Sequence, residues 1–218
     1  MTNIKLHHGD SAEVLKQYPD NHFDSIVTDP PYGIEFLGKD WDKNTGPIAV
    51  WQECLRVLKP GGHILAFSAA RTYHRLATNL EDIGFEIRDQ IMWIYGSGFP
   101  KGQDMGKIIE KRGQDGSNYL GWKTGLKPAH EPIVMARKPF KGSTVDNVLT
   151  NGVGAINIED CRVGVDILHA AEHNFTYDLF EQNSSNKKAE ETYIGRYPSN
   201  VIISEEEGKV LDEKTSKG

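Results

Sequence analysis

The sequence predicts an α/β fold with a mostly parallel, doubly wound sheet, and three observations lead to that prediction. Apolar runs of strand length alternate with helical patterns over residues 4–94. Glycine and proline separate these segments, as in Pro60-Gly61-Gly62. The apolar run Phe23–Val27 is followed by Thr28-Asp29-Pro30-Pro31-Tyr32, where two prolines lack the N–H that a strand needs. Such alternation is typical of a parallel sheet with helices on both faces.

The first predicted unit is strand, helix and strand within residues 4–28. Residues 4–8 predict a strand that ends in Gly9-Asp10, and Ser11 is the expected N-cap of the helix. The second strand ends at Asp29. If the two strands are neighbours, the carboxylates of Asp10 and Asp29 lie on the same rim, where open α/β sheets bind ligands.

The next segments continue the alternation. Residues 33–46 are rich in Gly, Asp, Lys and Asn and predict a mobile loop beside the rim, with Phe36 and Trp41 exposed. A helix is predicted from about Pro47, with Ile48, Trp51, Leu55 and Leu58 on one face, and Pro60-Gly61-Gly62 is expected to end it. A buried strand follows at His63–Phe67. The last two elements are a helix over residues 70–82, ended by Gly84, and a strand Phe85–Ile94.

The regular alternation ends after Ile94. Residues 95–130 contain eight glycines and six Lys or Arg and predict a long functional loop. Ile133–Arg137 is the expected last strand, and residues 143–149 predict a short capped helix. Beyond it the sequence indicates fragments at residues 155–158 and 200–203, and a tail from Ser204 that is expected to fray.

Charge is unevenly distributed along this chain of 218 residues with a net charge of −6. Residues 101–150 hold nine Lys or Arg against five Asp or Glu, whereas residues 151–218 hold seven against thirteen. A basic segment in an acidic chain is typical of a protein that meets phosphate through one region, although a solvated Lys-rich loop has the same composition. The phosphate-binding candidates are Lys101, Lys107, Lys111, Arg112, Lys123 and Lys127. Phe99 and Trp122 are candidates for stacking on bases or for local packing.

Other classes of protein find little support in the sequence. No apolar run has the length of a membrane span, and residues 1–20 lack the pattern of a signal peptide. Two cysteines permit one disulfide, but Cys54 lies in a helical apolar pattern and is expected to be a buried thiol in a reducing cytoplasm. No metal site is expected, because His7-His8 and His130 lack the convergent spacing of zinc ligands.

Three segments carry a family resemblance: Leu6-His-His-Gly-Asp10, Phe23-Asp-Ser-Ile-Val-Thr-Asp-Pro-Pro-Tyr32 and Leu58-Lys-Pro-Gly-Gly-His-Ile-Leu65. Over roughly residues 4–139 the chain resembles the amino-terminal half of the S-adenosylmethionine-dependent DNA amino-methyltransferases, which methylate adenine N6 or cytosine N4. The resemblance implies a methyltransferase-like (Rossmann-like) sheet, S-adenosylmethionine as cofactor and double-stranded DNA as substrate. Aspartate at position 29 favours adenine, since the cytosine enzymes more often carry serine there.

The resemblance also implies roles for individual residues. Asp29 and the carbonyl of Pro30 would accept the amino hydrogens of a flipped base, and Tyr32 would hold the face of that base. Pro31 would be structural. Asp10, with Asp29, would contact the cofactor; the alternative for Asp10 is a helix cap.

One family motif is missing from the sequence. The family carries a late strand ending in Asp-Pro-Phe and a Gly-x-Gly loop that wraps the cofactor, and neither Gly96-Ser97-Gly98 nor Gly152-Val153-Gly154 has that context. We therefore expect a sheet without the late cofactor-loop strands and with an open edge that a second polypeptide covers. The expected domains are a catalytic domain over residues 1–140, with a basic insertion at about 95–130, and a target-recognition-like or partly disordered extension over residues 141–218.

Three functions are compatible with these patterns. The first is a DNA adenine-N6 or cytosine-N4 methyltransferase, or its catalytic half completed by a second chain. The second is a DNA-binding relic or interaction module that transfers no methyl group. The third is a methyltransferase acting on RNA or a protein amide, which Asp29 disfavours because related glutamine methyltransferases usually have Asn there.

Overall fold

A computed structural model describes residues 4–35, 38–96, 98, 102–169 and 192–215. The helices are α1 (Ser11–Leu15), α2 (Ile48–Val57), α3 (Tyr73–Asp82), α4 (Met105–Lys111), α5 (Thr144–Asn151) and α6 (Glu205–Thr215). The strands are β1 (Phe23–Thr28), β2 (Leu58–Phe67), β3 (Glu86–Ile94), β4 (His130–Arg137), β5 (Val163–His169), β6 (Thr192–Arg196) and β7 (Val201–Ile203). Short 3-10 turns lie at Asp40–Asp42, Ser117–Tyr119 and Glu159–Cys161.

Five of the strands form one sheet in the order β1-β2-β4-β3-β7. β1 is parallel to β2 and β7 is parallel to β3, whereas β4 is antiparallel to both β2 and β3. Four strands therefore run in one direction, which confirms the predicted mostly parallel α/β sheet. Because β4 runs against its neighbours, its first residues lie at the same rim as the last residues of β1 and β2.

The core packs helices α2 and α3 against the centre of this sheet. Its fully buried side chains include Trp51, Leu58, Ile64, Leu76 and Val134. Each such burial contributes about 1.5–3 kcal/mol. The indole N–H of Trp51 is also satisfied, since it donates to the carbonyl of Thr45 at 3.2 Å.

The buried face of α2 agrees with the predicted one only in part, since Trp51 and Leu58 are fully buried as expected but Leu58 is the first residue of β2. The helix buries Trp51, Cys54 and Val57, while Ile48 is exposed and Leu55 is only partly buried. The buried thiol predicted for Cys54 is present, and burial, with the nearby Glu53 charge, raises its pKa to about 12. Cys54 and Cys161 are both free.

The strand predicted over residues 4–8 is wrong. The chain is irregular there, and Leu6 is 91% exposed. A strand needs a ladder partner, and among the described strands none lies beyond β1. The predicted strand–helix–strand unit therefore lacks its first strand and begins at α1. Asp10 precedes that helix and does not follow a strand that neighbours β1.

The helix end predicted at Pro60-Gly61-Gly62 is also wrong. Helix α2 ends at Val57, and β2 already begins at Leu58. The glycines pair with the chain beyond β4, because Gly61 N–H donates to the Lys138 carbonyl and Lys138 N–H donates to the Gly62 carbonyl, each at 2.9 Å.

Two later segments contain more helix than the sequence predicted. The segment over residues 95–130 contains α4, whose first turn is capped by the Asp104 carboxylate accepting from the N–H of Lys107 at 3.2 Å. The tail predicted to fray from Ser204 forms α6, and the Ser204 hydroxyl accepts from the N–H of Glu207 at 3.3 Å. In both cases a side-chain cap satisfies a free N–H of the first turn.

The chain packs as two units. Residues up to Ala155 and from Asn200 onward form the larger unit, and Ile156–Ser199 forms the smaller one. In the smaller unit β5 and β6 pair antiparallel, and the Arg162 guanidinium bonds Glu159 at 2.8 Å. The domain boundary near residue 140 stays a prediction. No helix within the described residues is long and apolar enough to cross a membrane.

Candidate active site at the end of strand β1

The Asp-Pro-Pro-Tyr segment stands at the carboxyl end of β1, as predicted. β1 ends at Thr28, and the two prolines that follow carry no N–H for a ladder. This turn borders a cavity of about 390 Å³, within the range of small-ligand pockets. The residues that line it are Asp29, Pro30, Pro31, Tyr32, Ile34, Trp41 and Asp42.

Asp42 connects its own loop to the turn that follows strand β1. Its carboxylate accepts hydrogen bonds from the N–H groups of Tyr32 at 2.7 Å, Gly33 at 2.9 Å and Ile34 at 3.3 Å. Its side chain is buried, with 1% exposure. Sequence reasoning missed Asp42 because the polar, Gly- and Lys-rich residues 33–46 predicted a mobile loop. The pattern Asp-Trp-Asp close after a proline turn was the only available signal.

Tyr32 is held on its other side by β4. Its hydroxyl donates to the Glu131 carboxylate at 3.2 Å, and Glu131 stands at the start of that strand. Burial, together with the nearby carboxylates of Asp29 and Glu131, raises the pKa of the Tyr32 phenol well above its usual value. Tyr32 therefore stays neutral and offers an uncharged aromatic face. Glu131 was another residue that sequence reasoning did not place in the site.

Asp29 itself is exposed, in contrast to the half-buried Tyr32. An exposed carboxylate keeps its acceptor capacity for a ligand. The structure therefore brings a hydrogen-bond acceptor and an aromatic ring to one short turn at the mouth of the cavity.

Asp10 serves as the N-cap of α1. Its carboxylate accepts from the N–H of Ala12 at 2.9 Å and of Glu13 at 3.2 Å. This is the capping alternative left open by the sequence, and Asp10 rather than Ser11 is the cap. A contact between Asp10 and a cofactor stays a prediction.

The basic candidates fall into two groups. Lys107, Lys111 and Arg112 are exposed at α4 and its end, and none forms an ion pair with another described residue. Lys123 instead pairs with Asp104, and the Lys127 ammonium donates to the Gly96 carbonyl. Lys101 and Phe99 lie outside the described residues.

The aromatic candidate Trp122 is exposed in the same segment. Its ring meets Tyr119 edge-on at 5.6 Å between centroids, and Leu120 and Leu126 are exposed nearby in sequence. The basic segment thus also presents apolar side chains to solvent.

The two Gly-x-Gly segments have structural roles where they are described. Gly152 ends α5 in the left-handed conformation, with φ 74°. Gly154 packs against Asn147, whose amide donates to the carbonyls of Pro60 and Val153. The N–H of Gly96 bonds the carboxylate of Glu207. Among the described residues, no group of three or more His, Cys, Asp or Glu side chains is placed to hold a metal ion.

Strand β1 forms one end of the sheet in the described chain, so the backbone groups of its outer edge have no ladder partner there. Val27 on this strand is 67% exposed. A second cavity of about 420 Å³ runs along it, between β1, α2 and the segment around α1. An unpaired edge of this kind presents N–H and C=O groups with which a further strand can pair.

Comparison with known proteins places the chain in a family. The family model for N6/N4-type enzymes, described as DNA methylase, matches residues 23–214. The chain therefore belongs to the N6/N4 DNA methylase family.

Curated relatives include two Type II methyltransferases from Haemophilus. The chain is 27% identical over 200 residues to M.HindIII of Haemophilus influenzae, covering 70% of this chain and 64% of that protein. It is 33% identical over 145 residues to M.HpaI of Haemophilus parainfluenzae, covering 62% and 38%. The chain thus spans less than two thirds of the length of these relatives.

Two solved structures match over part of the chain. PvuII DNA methyltransferase, which is cytosine-N4-specific, matches with a TM-score of 0.40 at 18% identity, over 67% of this chain and 62% of that one. The M1.HpyAVI–SAM complex matches with a TM-score of 0.40 at 20% identity, over 62% and 53%.

Proposed function

We propose that the protein transfers a methyl group from S-adenosylmethionine to the exocyclic amine of a flipped DNA base, with adenine N6 preferred over cytosine N4. The observation that carries the proposal is the Asp29–Tyr32 turn at the rim, with Tyr32 held half-buried by Glu131 beside a cavity. Membership in the DNA methylase family supports the reaction class. Aspartate rather than serine at position 29 supports adenine.

The chemistry follows from the acceptors at the turn. An exocyclic amine is a poor nucleophile because its lone pair is delocalised into the ring. Hydrogen bonds from its two hydrogens to the Asp29 carboxylate and the Pro30 carbonyl draw the nitrogen toward sp³ geometry and offset its developing positive charge. The nitrogen would attack the methyl carbon, so that an N–C bond forms as the C–S bond of the sulfonium breaks and the neutral thioether S-adenosylhomocysteine leaves. The methylated nitrogen would then lose a proton to Asp29, which releases it to water. No covalent enzyme intermediate is required.

DNA binding is proposed to divide between the turn and the basic segment. A target base inside a duplex is inaccessible, so it is flipped out, and the neutral ring of Tyr32 supports its face. Lys107, Lys111 and Arg112 are the best-placed phosphate contacts because they are exposed and unpaired among the described residues. Lys123 and Lys127 are already engaged within the segment and stabilise its shape.

The rim residues fit the cofactor in their charge and chemistry. S-adenosylmethionine supplies, when bound, a methyl group on a sulfonium cation. The exposed carboxylate of Asp29 and the ring of Tyr32 both attract a cation. Asp29 is therefore a proposed cofactor contact. Asp10 is proposed as a second contact from the family resemblance, in addition to its capping of α1.

A further polypeptide segment is proposed to complete the cofactor side. The unpaired outer edge of β1 and its exposed Val27 support a strand added there, from a second chain. The proposed catalytic domain is residues 1–140, and the proposed target-recognition-like extension is residues 141–218, of which Val201–Ile203 (β7) pairs with β3 in the main sheet. Two free cysteines support a reducing compartment, the cytoplasm.

The test is transfer of labelled methyl groups to unmethylated DNA. Asp29→Ala is expected to lower transfer by about 100-fold or more, since a transition-state hydrogen bond is removed, while DNA affinity changes little. Asp24→Ala removes an exposed carboxylate from strand β1, which precedes Asp29, and is the matched control. Nucleoside analysis of the product is expected to give N6-methyladenine. Undiminished transfer by Asp29→Ala would overturn the assignment.

A second candidate is a DNA-binding module of the same family that transfers no methyl group. The open edge of β1 favours it, because a cofactor pocket needs walls on both sides. Calorimetry of S-adenosylmethionine binding, with and without a DNA duplex, separates the two. Micromolar binding supports the enzyme. DNA binding without cofactor binding supports the module or an enzyme half.

A further inference from the structure

Trp41 has no packing role that accounts for its position. The side chain is 61% exposed, yet it lines the same cavity as Asp29 and Tyr32. The indole is the largest flat apolar surface among the described residues of that cavity. A core function is excluded by this exposure, so the ring is available to a ligand that enters the cavity.

The backbone at Trp41 is joined to the backbone at Tyr32 through Asp42, the next residue in sequence. Asp42, next to Trp41, binds the N–H groups of Tyr32, Gly33 and Ile34 at 2.7–3.3 Å. The Asp42 carbonyl also accepts from the N–H of Glu35 at 3.0 Å. Four hydrogen bonds therefore join the backbone that carries Trp41 to the backbone that carries Tyr32.

The burial of Asp42 shows that this connection is built into the fold. Removing a carboxylate from water is costly unless hydrogen bonds compensate it, and here three backbone donors converge on it. The neighbouring Asp40 behaves differently, since it is exposed and pairs with Lys43 at 2.7 Å. The buried carboxylate of Asp42 therefore contributes to the geometry of the cavity, whereas the carboxylate of Asp40 is an exposed surface charge.

We propose that Trp41 is a second aromatic wall of the base pocket and that Asp42 is the positioning residue that keeps the Trp41 and Tyr32 rings at a fixed separation. The ligand class is a purine or pyrimidine base turned out of the DNA helix. The proposal rests on the proposed function, because a nucleobase must enter the cavity. Because a base gains affinity from stacking on an aromatic ring, a second wall is expected to raise base affinity about tenfold.

The test uses 2-aminopurine deoxyribonucleoside, whose fluorescence is quenched by stacking, titrated into the full chain without DNA or cofactor. Trp41→Leu is expected to raise the dissociation constant about tenfold, and Trp41→Phe is expected to restore most of the affinity. Tyr197→Leu removes an equally exposed ring from the smaller unit and is expected to change nothing. Unchanged binding by Trp41→Leu, or no quenching by the unaltered chain, would overturn the proposal.

A second pair of variants tests the positioning role of Asp42. Asp42→Ala removes all three hydrogen bonds and is expected to weaken nucleoside binding as much as Trp41→Leu. Asp42→Asn keeps the oxygen that binds Tyr32 and Gly33 and is expected to recover part of the affinity. Wild-type affinity in Asp42→Ala would contradict the positioning role, and thermal unfolding shows whether each variant is folded.

The two proposals fail in different ways. Nucleoside quenching requires no methyl transfer, so it reports on Trp41 and Asp42 alone. A chain that binds the nucleoside through Trp41 but transfers no methyl group contradicts the proposed function and supports the second wall. A chain that transfers methyl groups with Trp41→Leu as fast as the unaltered chain, and binds the nucleoside equally, retains the function and contradicts the second wall.

Discussion

The hydroxyl of Tyr32 donates a hydrogen bond to the carboxylate of Glu131 at 3.2 Å, across 99 residues of sequence. One residue follows strand β1 and the other lies at the start of strand β4, so this contact fastens the turn after β1 to a strand that is not its neighbour. Because the Tyr32 phenol is neutral, Glu131 orients the ring without ionising it.

The Tyr32–Glu131 pair leads to the first prediction. Tyr32→Phe keeps the aromatic face and is expected to reduce base binding less than about threefold, whereas Tyr32→Ala is expected to reduce it about tenfold or more. Glu131→Gln retains an acceptor and is expected to behave like Tyr32→Phe. The measurement is 2-aminopurine nucleoside affinity. An equal reduction for Phe and Ala at position 32 would show that the hydroxyl, not the ring, binds the base.

The second prediction concerns the basic segment. The double variant Lys107→Glu, Lys111→Glu is expected to bind DNA with a weaker dependence on salt. The slope of the logarithm of the binding constant against the logarithm of the salt concentration should change by about 0.9 for each phosphate that the variant no longer neutralises. Lys209→Glu changes an exposed lysine on α6 and is the control. Filter binding at several salt concentrations measures the slope. A slope identical to that of the unaltered chain would place the DNA contact outside α4.

The third prediction separates steric overlap from backbone strain. Gly61 and Gly113 both have positive φ, of 84° and 77°. A Cβ at Gly61 would overlap the Asn147 amide, whereas a Cβ at Gly113 meets nothing within 4 Å. Gly113→Ala is expected to lower the free energy of unfolding by about 1 kcal/mol, from strain alone. Gly61→Ala is expected to lower it by about 3 kcal/mol, because a buried amide must also move.

Urea unfolding of the two alanine variants measures both values. Asn147→Ala in the Gly61→Ala background removes the overlapping amide and is expected to make the two changes non-additive. Equal destabilisation at positions 61 and 113 would contradict the close packing of α5 on β2.

The fourth prediction concerns pH. Burial, with the charges of Arg137 and Arg88, lowers the pKa of His63 in the folded chain. The unfolded chain then binds more protons than the folded one between the lowered pKa and the ordinary value near 6.5, so His63 reduces stability as pH falls through that window. His63→Gln is expected to lessen the decrease in unfolding free energy between neutral and mildly acidic pH. A pH dependence identical to that of the unaltered chain would contradict the shift.

The sequence predicted the parts of the fold that local rules determine. Pro30-Pro31 ends β1, Gly84 follows α3 and Ser143 caps α5, each for reasons contained in a few residues. The turn that bears Asp29 and Tyr32 was predicted on the same basis. The strand over residues 4–8 was not correct because strand formation depends on a partner, which no local pattern specifies.

The contacts that complete the candidate site depend on the folded chain, and this is why they were missed. Glu131 enters the site only because β4 inserts between β2 and β3, an order that periodicity does not determine. Asp42 is close to the turn in sequence, but its burial depends on three N–H groups that converge only in the folded loop.

The insertion of β4 also determines when the site can form during synthesis. β2 and β3 follow each other along the chain, but they cannot pair directly because β4 lies between them. The centre of the sheet therefore closes only after residues 130–137 have left the ribosome, and such distant pairing is slow. Until then Tyr32 has no Glu131 to bind, so a nascent chain carries the whole Asp-Pro-Pro-Tyr segment but no finished pocket.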